Sequence, residues 1–467
     1  MPEGQRTAHG WTAVPIGARA EDALRLAPPH AEHSIERPVR SHGRLRMTVA
    51  LGVHETKFVE AVLAGTGAVL GRFDIRFAYV FQPFELALTA EQTEAVLREG
   101  IRLQVCDGKE PLWIFDDSGG DEARRFFAPH LLIGEGESRM DRYLESFISL
   151  SSLQPFGWLE GCVLDGLYAL KPVFGEQRID PVIDAHLGQY FDADGRLLYE
   201  DLYGRAADGT FTTIEATLPL AVIVKHRSDH PVVKQALAFW DSRETNGEGI
   251  VIDGEMITAE GMYTVAYPLA VIASRLGRKD LAEQAVRQVL LRRDWLADNR
   301  NVYLRYHKNT NSRTFRNWAR AYAWYMLGMT RTWIELKQSA YAGLPGVPEM
   351  ERELVRVAES ALSWRQQGGL WSNFLDDSAT GIDTSGSAGI AAALALGARH
   401  RLLPSSCAVA ASVSLQALEA YLTPDGILSG VSQHNAGGME LQTCGYRVLS
   451  QMGMGLMAQL YAETAMK

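Results

Sequence analysis

Three acidic residues stand where long apolar segments begin. Glu215 is near the start of TIEATLPLAVIVK, Glu260 is near the start of TAEGMYTVAYPLA, and Asp383 comes just before SGSAGIAAALALG. Taken singly, each is explained by the favourable interaction of a carboxylate with the first turn of a helix. Taken together they predict more, because helices packed around a barrel bring equivalent ends to one mouth. Two carboxylates facing across a sugar supply the proton donor and the water-activating base of glycosidic bond cleavage.

Aromatic and basic residues are concentrated in the segment FRNWARAYAW. Arg320 and Trp324 lie one helical turn apart, and Trp318 precedes them. An indole stacks on the apolar face of a sugar ring, and a guanidinium binds a carboxylate through two parallel hydrogen bonds. Core packing and a structural ion pair are the alternative explanation. His307, in YLRYHKN, lies a short loop upstream, and we expect it at the same end of the barrel.

Weaker candidates come from other helix starts and loops. Trp158 in FGWLEGC and Trp371 in GGLWSNF each begin or precede a helical segment, where an indole adds stacking surface. Core packing explains Tyr263 equally well, and turn chemistry explains His434. We therefore predict Glu260 and Glu215 as catalytic residues. The predicted substrate contacts are Arg320, Trp324, Trp318, His307, Trp158, Trp371, Tyr263, Asp383 and His434.

The elements that must position these residues are helices. From about residue 138 to the C-terminus, about twelve segments of helical length alternate between two textures. One texture is apolar nearly all round, as in SGSAGIAAALALGA, and must be buried; the other is amphipathic, as in KDLAEQAVRQVLLRRDWL, and can cover it. The alternation predicts a mainly α chain with an (α/α)6 six-hairpin barrel over residues 138–467. A generic helical array is the alternative, although no fixed-period repeat supports it.

Strands are predicted mainly before the barrel. Residues 1–43 lack periodicity and predict an extended N-terminal arm, whereas residues 44–130 predict a small α+β domain. In that domain GRFDIRFAYVFQPFELAL reads as strands, TAEQTEAVLREG as a helix capped by Thr89, and IRLQVCDGKEPLWIF as two strands around an Asp-Gly turn. Within the barrel, residues 191–213 read as a hairpin and residues 300–314 as a strand and loop.

Charge and composition exclude several classes of protein. The net charge of -10 argues against a nucleic-acid partner but leaves an acidic small substrate open, because one local arginine binds a carboxylate. The four cysteines form no CxxC pair or Cys/His cluster, so neither a metal site nor a disulfide framework is indicated. No secretory apolar region or apolar window of about 18 residues is present. We expect a cytoplasmic protein with an oligosaccharide substrate and no membrane partner; a homodimer is left open.

The helical half resembles the unsaturated glucuronyl hydrolases and the related unsaturated rhamnogalacturonyl hydrolases. WARAYAW at residues 318–324 is similar to the WARGQAW of the glucuronyl hydrolases. AEGMYTVAYPLAVIASRLGRKD and GGLWSNFLDDSATGIDTSGSAGIAAALALG are similar to two further segments of that family. The resemblance begins near Leu150, leaves the first 130 or so residues outside, and implies an (α/α)6 barrel that needs no metal or other cofactor.

The resemblance also implies roles for individual residues. Glu260 matches the family's general acid/base aspartate, and Glu215 is the nearest match to a second aspartate. Arg320 and Trp324 match residues that line the uronate subsite, and His307 matches a histidine before that motif. In the implied reaction, the acid protonates C4 of a 4,5-unsaturated uronate, water adds at C5, and the hemiketal collapses with cleavage of the glycosidic bond.

Two departures from the family keep other activities open. Both catalytic positions carry Glu instead of Asp, and Ala321-Tyr322 replaces the Gly-Gln of the arginine motif. A pair of glutamates suits direct hydrolysis of a saturated β-glucuronide equally well. A sugar epimerase would need two histidines at the mouth, where only His307 is well placed and His434 is a weaker second. A non-catalytic sugar-binding protein would need no opposed carboxylates. We predict a glycoside hydrolase that removes a terminal, 4,5-unsaturated uronic acid.

Overall fold

The computed structural model describes residues 5–6, 10–27, 42–108, 110–116, 126–134, 138–201, 205–243, 245 and 247–466. These residues contain fourteen α-helices. They are α1 (Ala90–Glu99), α2 (Arg139–Phe147), α3 (Trp158–Phe174), α4 (Glu176–Leu187), α5 (Leu220–His226), α6 (Val232–Ser242), α7 (Tyr267–Leu276), α8 (Lys279–Leu296), α9 (Ala319–Lys337), α10 (Val347–Ser363), α11 (Thr384–Arg399), α12 (Ser405–Glu419), α13 (Gly438–Thr443) and α14 (Gln451–Ala465).

Six helices form a closed inner ring. In order around the ring they are α3, α5, α7, α9, α11 and α14, and α14 returns to contact α3. Five outer helices pack on their preceding inner helix, namely α4, α6, α8, α10 and α12, while α2 packs on α14. The alternation of buried and amphipathic segments therefore corresponds to six inner–outer pairs, and the predicted mainly helical, six-hairpin architecture is confirmed.

Small residues allow the inner helices to pack closely. A Cβ atom on Gly166 of α3 would lie 2.6 Å from the carbonyl oxygen of Gly455 in α14. Such a contact is far tighter than a side chain tolerates, so the two backbones approach directly. The Gly- and Ala-rich composition of the inner segments is thus a requirement of the ring.

Short strands connect the helices on the side where α7 and α9 begin. β11 (Met256–Thr258), β13 (Asn301–His307) and β14 (Ser312–Arg316) form an antiparallel sheet, and β12 (Ala297–Asp298) also pairs with β13. The predicted strand and loop at residues 300–314 is therefore a hairpin. Two further pairs join β15 (Ser372–Phe374) to β16 (Asp377–Ile382) and β17 (Val431–Ser432) to β18 (Arg447–Val448). The hairpin predicted at residues 191–213 appears among the described residues only as isolated bridges, such as Phe191 to Leu197.

The N-terminal region forms three small sheets within the described residues. Their strand orders are β1-β2-β9, β10-β4-β7 and β3-β8-β5-β6. The strands are β1 (Gln5–Arg6), β2 (Thr12–Ile16), β3 (Leu24–Leu26), β4 (Gly43–Thr48), β5 (Thr56–Leu63), β6 (Val69–Arg76), β7 (Pro83–Leu88), β8 (Ile101–Val105), β9 (Leu112–Phe115) and β10 (His130–Ile133). α1 begins after Thr89, which makes the expected capping box with Gln92.

Two expectations for this region need correction. β2 and β3 lie in the predicted arm, yet they pair with β9 and β8 and so belong to the sheets; residues 28–41 of the arm lie outside the described residues. β8 and β9, predicted around one Asp-Gly turn, lie in different sheets. These strands are too short to show a period, and their partners are distant in sequence, so local patterns do not reveal the pairing.

The N-terminal region is tied to the helical ring by buried polar contacts. Arg46 of β4 is fully buried and forms ion pairs with Glu85 of β7 and with Asp425, which follows α12. The hydroxyl of Tyr446 donates to the carbonyl oxygen of Asp74 at 2.8 Å, and Gln433 donates to that of Arg76 at 2.8 Å. None of the helices in the described part of the chain has the length and apolar character needed to cross a lipid bilayer.

Candidate active site

A cavity of about 330 Å³ lies where the starts of several inner helices converge. Its wall includes residues that precede or open α3, α5, α7 and α9, together with residues of the N-terminal region. Seven of the sequence-predicted site residues line it. They are Glu215, Glu260, Arg320, Trp324, Trp318, Trp158 and His434.

The two glutamates are held on adjacent tight turns. Glu215 lies in a 3-10 turn, Ile214–Thr217, directly before α5. Glu260 follows β11 and precedes a π-helical turn, Met262–Ala266, that leads into α7. The hydroxyl of Thr217 donates to the carbonyl oxygen of Thr264 at 2.6 Å and joins the two turns. Single π-helical turns are frequent at functional sites, and this one determines the position of Glu260, which precedes it.

Close packing beneath the π-helical turn fixes its position. A Cβ atom on Gly328 of α9 would lie 2.3 Å from the carbonyl carbon of Met262, so only glycine fits there. From the other side, the buried Arg292 of α8 donates to the carbonyl oxygens of Val251 at 2.6 Å and Thr258 at 3.2 Å. The backbone on both sides of Glu260 is therefore fixed by contacts independent of any substrate.

Burial raises the pKa of both glutamates. The pKa of Glu215 rises to about 8, first through burial and then through the nearby charges of Glu260 and Asp253, while Arg305 lowers it. Burial also raises the pKa of Glu260, and the guanidinium of Arg305 is the largest opposing influence. Oε2 of Glu260 has no hydrogen-bond partner among the described residues. Because the charge of Glu260 is among the influences that raise the pKa of Glu215, ionisation of one carboxyl disfavours ionisation of the other.

Two arginines bring positive charge to the same wall. Arg305, on β13 opposite Thr258, donates from Nη2 to Oδ1 of Asn435 at 2.8 Å. Arg320, near the start of α9, donates from Nη2 to the carbonyl oxygen of Gln433 at 2.5 Å. In both, Nε is buried and has no hydrogen-bond partner among the described residues. Such N–H groups suit an anionic ligand such as a carboxylate.

Aromatic rings form a row along one side of the cavity. The ring of Trp324 meets that of Trp158 edge to face at 5.6 Å, and Trp158 meets Tyr79 in the same way at 6.3 Å. Tyr79, from the N-terminal region, stacks on His434 at 4.2 Å. Burial and then the charge of Arg320 lower the pKa of His434 to about 3, so its imidazole is neutral at physiological pH.

Four predicted site residues lie outside the cavity wall. His307 is two residues beyond Arg305 on β13, about 7 Å further along the strand, and contacts Thr314 at 3.2 Å. Trp371 is fully buried and donates to the carbonyl oxygen of Ala361 at 2.7 Å. Neither residue therefore lines the cavity, although both were predicted as substrate contacts.

The other two residues outside the wall have structural partners. Tyr263 lies beneath Trp324, with its ring stacked at 6.0 Å and its hydroxyl donating to Asp165. Asp383 caps α11, where its carboxylate accepts from the backbone N–H groups of Ser385 at 3.1 Å and Ser432 at 3.0 Å. Asp383 is therefore explained as a helix cap, because its carboxylate oxygens already accept hydrogen bonds from backbone N–H groups.

The cavity also contains functional candidates that sequence reasoning missed. Arg305 stands two residues before the singled-out His307, and the two-residue period of a strand was a signal for it. Asp253 precedes β11, and Tyr79 and His54 belong to the N-terminal region, where no helical pattern connects them to the site. In the described part of the chain, no group of three or more His, Cys, Asp or Glu side chains is placed to hold a metal ion.

Comparison with known proteins shows that the chain is similar to glycoside hydrolases. The family model described as Glycosyl Hydrolase Family 88 matches residues 135–466. The chain is similar to a family 105 glycoside hydrolase of C. acetobutylicum ATCC 824, with 18% identity, a TM-score of 0.59, and coverage of 70% of this chain and 98% of that one. No curated protein matches the chain.

Two further solved structures show the same fold. One is a family 88 glycosyl hydrolase from Bacteroides vulgatus, with 12% identity, a TM-score of 0.55, and coverage of 70% of this chain and 99% of that one. The other is an unsaturated glucuronyl hydrolase specific for heparin, with 12% identity, a TM-score of 0.54, and coverage of 70% and 96%. At these identities the likeness concerns the fold, and the residues before 135 lie outside the family match.

Proposed function

Because the chain belongs to glycosyl hydrolase family 88, it is a glycoside hydrolase, and we propose that it removes a terminal 4,5-unsaturated uronic acid from an oligosaccharide. One observation carries the proposal: Glu215 and Glu260 line one cavity, have raised pKa values, and share that cavity with the partly unpaired guanidinium groups of Arg305 and Arg320. A uronic acid brings the carboxylate that such groups bind, and its ring fits against Trp158 and Trp324.

The proposed reaction uses the glutamates as acid and base. The protonated carboxyl gives its proton to C4 of the unsaturated ring, and the ionised carboxylate takes a proton from water while the water oxygen bonds to C5. The hemiketal formed at C5 then opens, because the bond between C5 and the ring oxygen breaks and leaves a ketone at C5 and a hemiacetal at C1. The hemiacetal loses the alcohol from C1 and becomes an aldehyde. This route needs one protonated and one ionised carboxyl at the same pH, and the influence of the Glu260 charge, which raises the pKa of Glu215, favours such a state.

Which of the two glutamates carries the proton depends on the charges that lie near Arg305. Arg305 is the largest influence opposing burial at Glu260, whereas at Glu215 it is outweighed by burial and by the charges of Glu260 and Asp253, which favours the proton on Glu215. A substrate carboxylate placed between Arg305 and Arg320 would offset the charge of Arg305. The proton affinity of Glu260 would then rise, so we propose Glu260 as the acid in the substrate complex and Glu215 as its partner.

The experiment compares two substrates with the purified protein. The first is a 4,5-unsaturated uronyl disaccharide, followed by loss of its enol-ether absorbance; the second is a saturated aryl β-glucuronide, followed by release of the aryl group. Loss of the double-bond signal by the wild type, and not by Glu260→Gln, supports the proposal. Aryl release alone would identify direct hydrolysis by the glutamate pair instead. Inactivity on both would contradict a uronide substrate and favour the epimerase or binding alternatives.

A further inference from the structure

A buried polar cluster lies within the helical ring and outside the cavity wall. Its centre is Asp165 of α3, whose carboxylate forms an ion pair with Nε of Arg331 in α9 at 3.1 Å. Arg331 also donates to Gln459 of α14 at 2.7 Å. A buried ion pair is weak evidence for stability, because taking two charges out of water offsets much of their attraction. The other groups that Asp165 binds indicate a second role.

Both carboxylate oxygens of Asp165 accept hydrogen bonds from the segment that carries the π-helical turn. Tyr263, the second residue of the turn, donates to Oδ2, and Tyr267, the first residue of α7, donates to Oδ1 at 2.9 Å. The two rings stack at 5.8 Å. Burial raises the pKa of both phenols, so each keeps its proton and acts as a donor. One carboxylate therefore holds the turn near its beginning and directly after its end.

The register of this turn determines where Glu260 lies. A π-helical turn closes its hydrogen bonds five residues apart rather than four, so it contains one residue more than an α-helical turn does. Loss of that extra residue from the turn would rotate the preceding residues by about 100° around the axis of α7. Glu260 lies two positions before the turn and would rotate with them. A contact that keeps the π-helical register therefore keeps Glu260 at the cavity.

We propose that Asp165 is a positioning residue: by binding both tyrosines it keeps the π-helical turn in register and thereby holds the carboxyl of Glu260 at the substrate. This inference rests on the proposed function, because Glu260 is the proposed acid. Asp165 does not line the cavity, so it acts through Tyr263 and Tyr267. The neighbouring guanidinium of Arg331 compensates the charge of the buried carboxylate.

The test replaces each tyrosine by phenylalanine, which removes the hydroxyl and keeps the ring. Tyr263→Phe and Tyr267→Phe are each expected to lower kcat for the unsaturated disaccharide by about tenfold or more, since displacement of a catalytic group by about 1 Å can cost about a hundredfold. KM should change little, because the arginines and tryptophans that line the cavity stay in place. Steady-state kinetics measures both values.

Tyr267→Phe separates control of the turn from support of the cavity wall. The ring of Tyr263 stacks on Trp324, which lines the cavity, whereas the ring of Tyr267 stacks on Tyr263. A fall in kcat for both variants supports the inference. An effect of Tyr263→Phe alone would assign its hydroxyl to the support of Trp324 rather than to the turn, and would overturn the inference.

Tyr325→Phe is the matched control. Tyr325 is a fully buried residue of α9 whose hydroxyl donates to Oε1 of Glu353 at 2.6 Å, and Glu353 in turn pairs with Arg356. This tyrosine, carboxylate and arginine thus repeat the chemistry of the Asp165 cluster at another place outside the cavity wall. The control should lose about as much thermal stability as Tyr263→Phe, while its kcat and KM stay at the wild-type values.

Three further results would count against the inference. Equal kcat values for Tyr263→Phe, Tyr267→Phe and Tyr325→Phe, in folded proteins with an active wild type, would overturn it and leave the proposed function intact. A rise in KM at unchanged kcat would do the same, because it would place the effect on binding rather than on Glu260. A wild-type protein inert toward the unsaturated disaccharide would remove the proposed function, and this inference with it.

Discussion

Glu215 and Glu260 show how an ordinary residue type acquires a function from its surroundings. Elsewhere the chain has many exposed carboxylates, but these two are buried, lie on joined turns and have raised pKa values. Oε2 of Glu260 is buried without a hydrogen-bond partner in the described structure, which costs stability and is tolerated where chemistry needs it.

Replacing Glu215 or Glu260 by glutamine keeps the shape of the side chain but removes the carboxyl group that gains and loses a proton. We expect Glu260→Gln and Glu215→Gln each to lower kcat by about 10²–10⁴-fold, the usual contribution of a positioned acid or base, with little change in KM. Steady-state kinetics on the unsaturated disaccharide measures this. Asp383→Asn is the matched control, because Asp383 is equally buried but caps α11; a fall in kcat as large as that of Glu260→Gln would contradict the separation of roles.

The pH dependence follows from the raised pKa of Glu215. The free enzyme needs a proton on the pair, and this proton is lost as pH rises through about 8. The value of kcat/KM is therefore expected to fall on the alkaline side above about pH 8, and to be insensitive to pH just below it. A pH profile of the wild type measures this limb, and the residual activity of Glu215→Gln should lack it. An alkaline limb near pH 5 would contradict the raised pKa of Glu215.

At the scale of elements, the π-helical turn and the middle of α9 act as one unit. Because Gly328 has no side chain, α9 contacts the backbone of Met262. This contact fixes the position of the π-helical turn that follows Glu260. The sheet of β11, β13 and β14 then places Arg305 opposite Thr258. Helix packing and strand register together decide how far Arg305 is from Glu260.

Gly328→Ala tests this unit. A methyl group there would overlap the backbone of Met262, so we expect the free energy of unfolding to fall by about 1–3 kcal/mol and kcat to fall as the turn moves. Gly343→Ala is the control, because a Cβ on Gly343 meets nothing within 4 Å, and its effect should stay within about 0.5 kcal/mol. Denaturant unfolding and kinetics measure both. Equal behaviour of the two variants would show that the contact does not position the site.

At the scale of the whole molecule, a buried ionic contact joins the N-terminal region to the helical ring. Arg46→Met leaves Glu85 and Asp425 without their common partner, and we expect the free energy of unfolding to fall by about 3 kcal/mol. Arg44→Met, on the same strand and also beside Glu85, removes a partly exposed pair and should cost no more than about 1 kcal/mol. Chemical denaturation compares them, and similar losses in both variants would contradict a special role for the buried arginine.

Much of the architecture was determined by the sequence alone. A segment that is apolar all round, such as residues 384–399, has no face for water and must be inside, so the alternation of textures predicts six inner and six outer helices. The placement of Glu215, Glu260, Arg320 and Trp324 at helix starts follows from the same local pattern. Thr89 as the cap of α1 is equally local, since its partner is three residues away.

Only the tertiary structure decided which of these residues meet. Sequence periodicity encodes whether a side chain is buried, but not which distant side chain lies beside it. Asp383 and Glu260 both stand at the start of an apolar segment in the sequence. In the structure the carboxylate of Asp383 accepts hydrogen bonds from backbone N–H groups, whereas Glu260 lines the cavity. Tyr79 reaches His434 across 355 positions because β6 and β7 dock on the barrel. Such contacts depend on how whole elements pack, which is a property of the assembled chain.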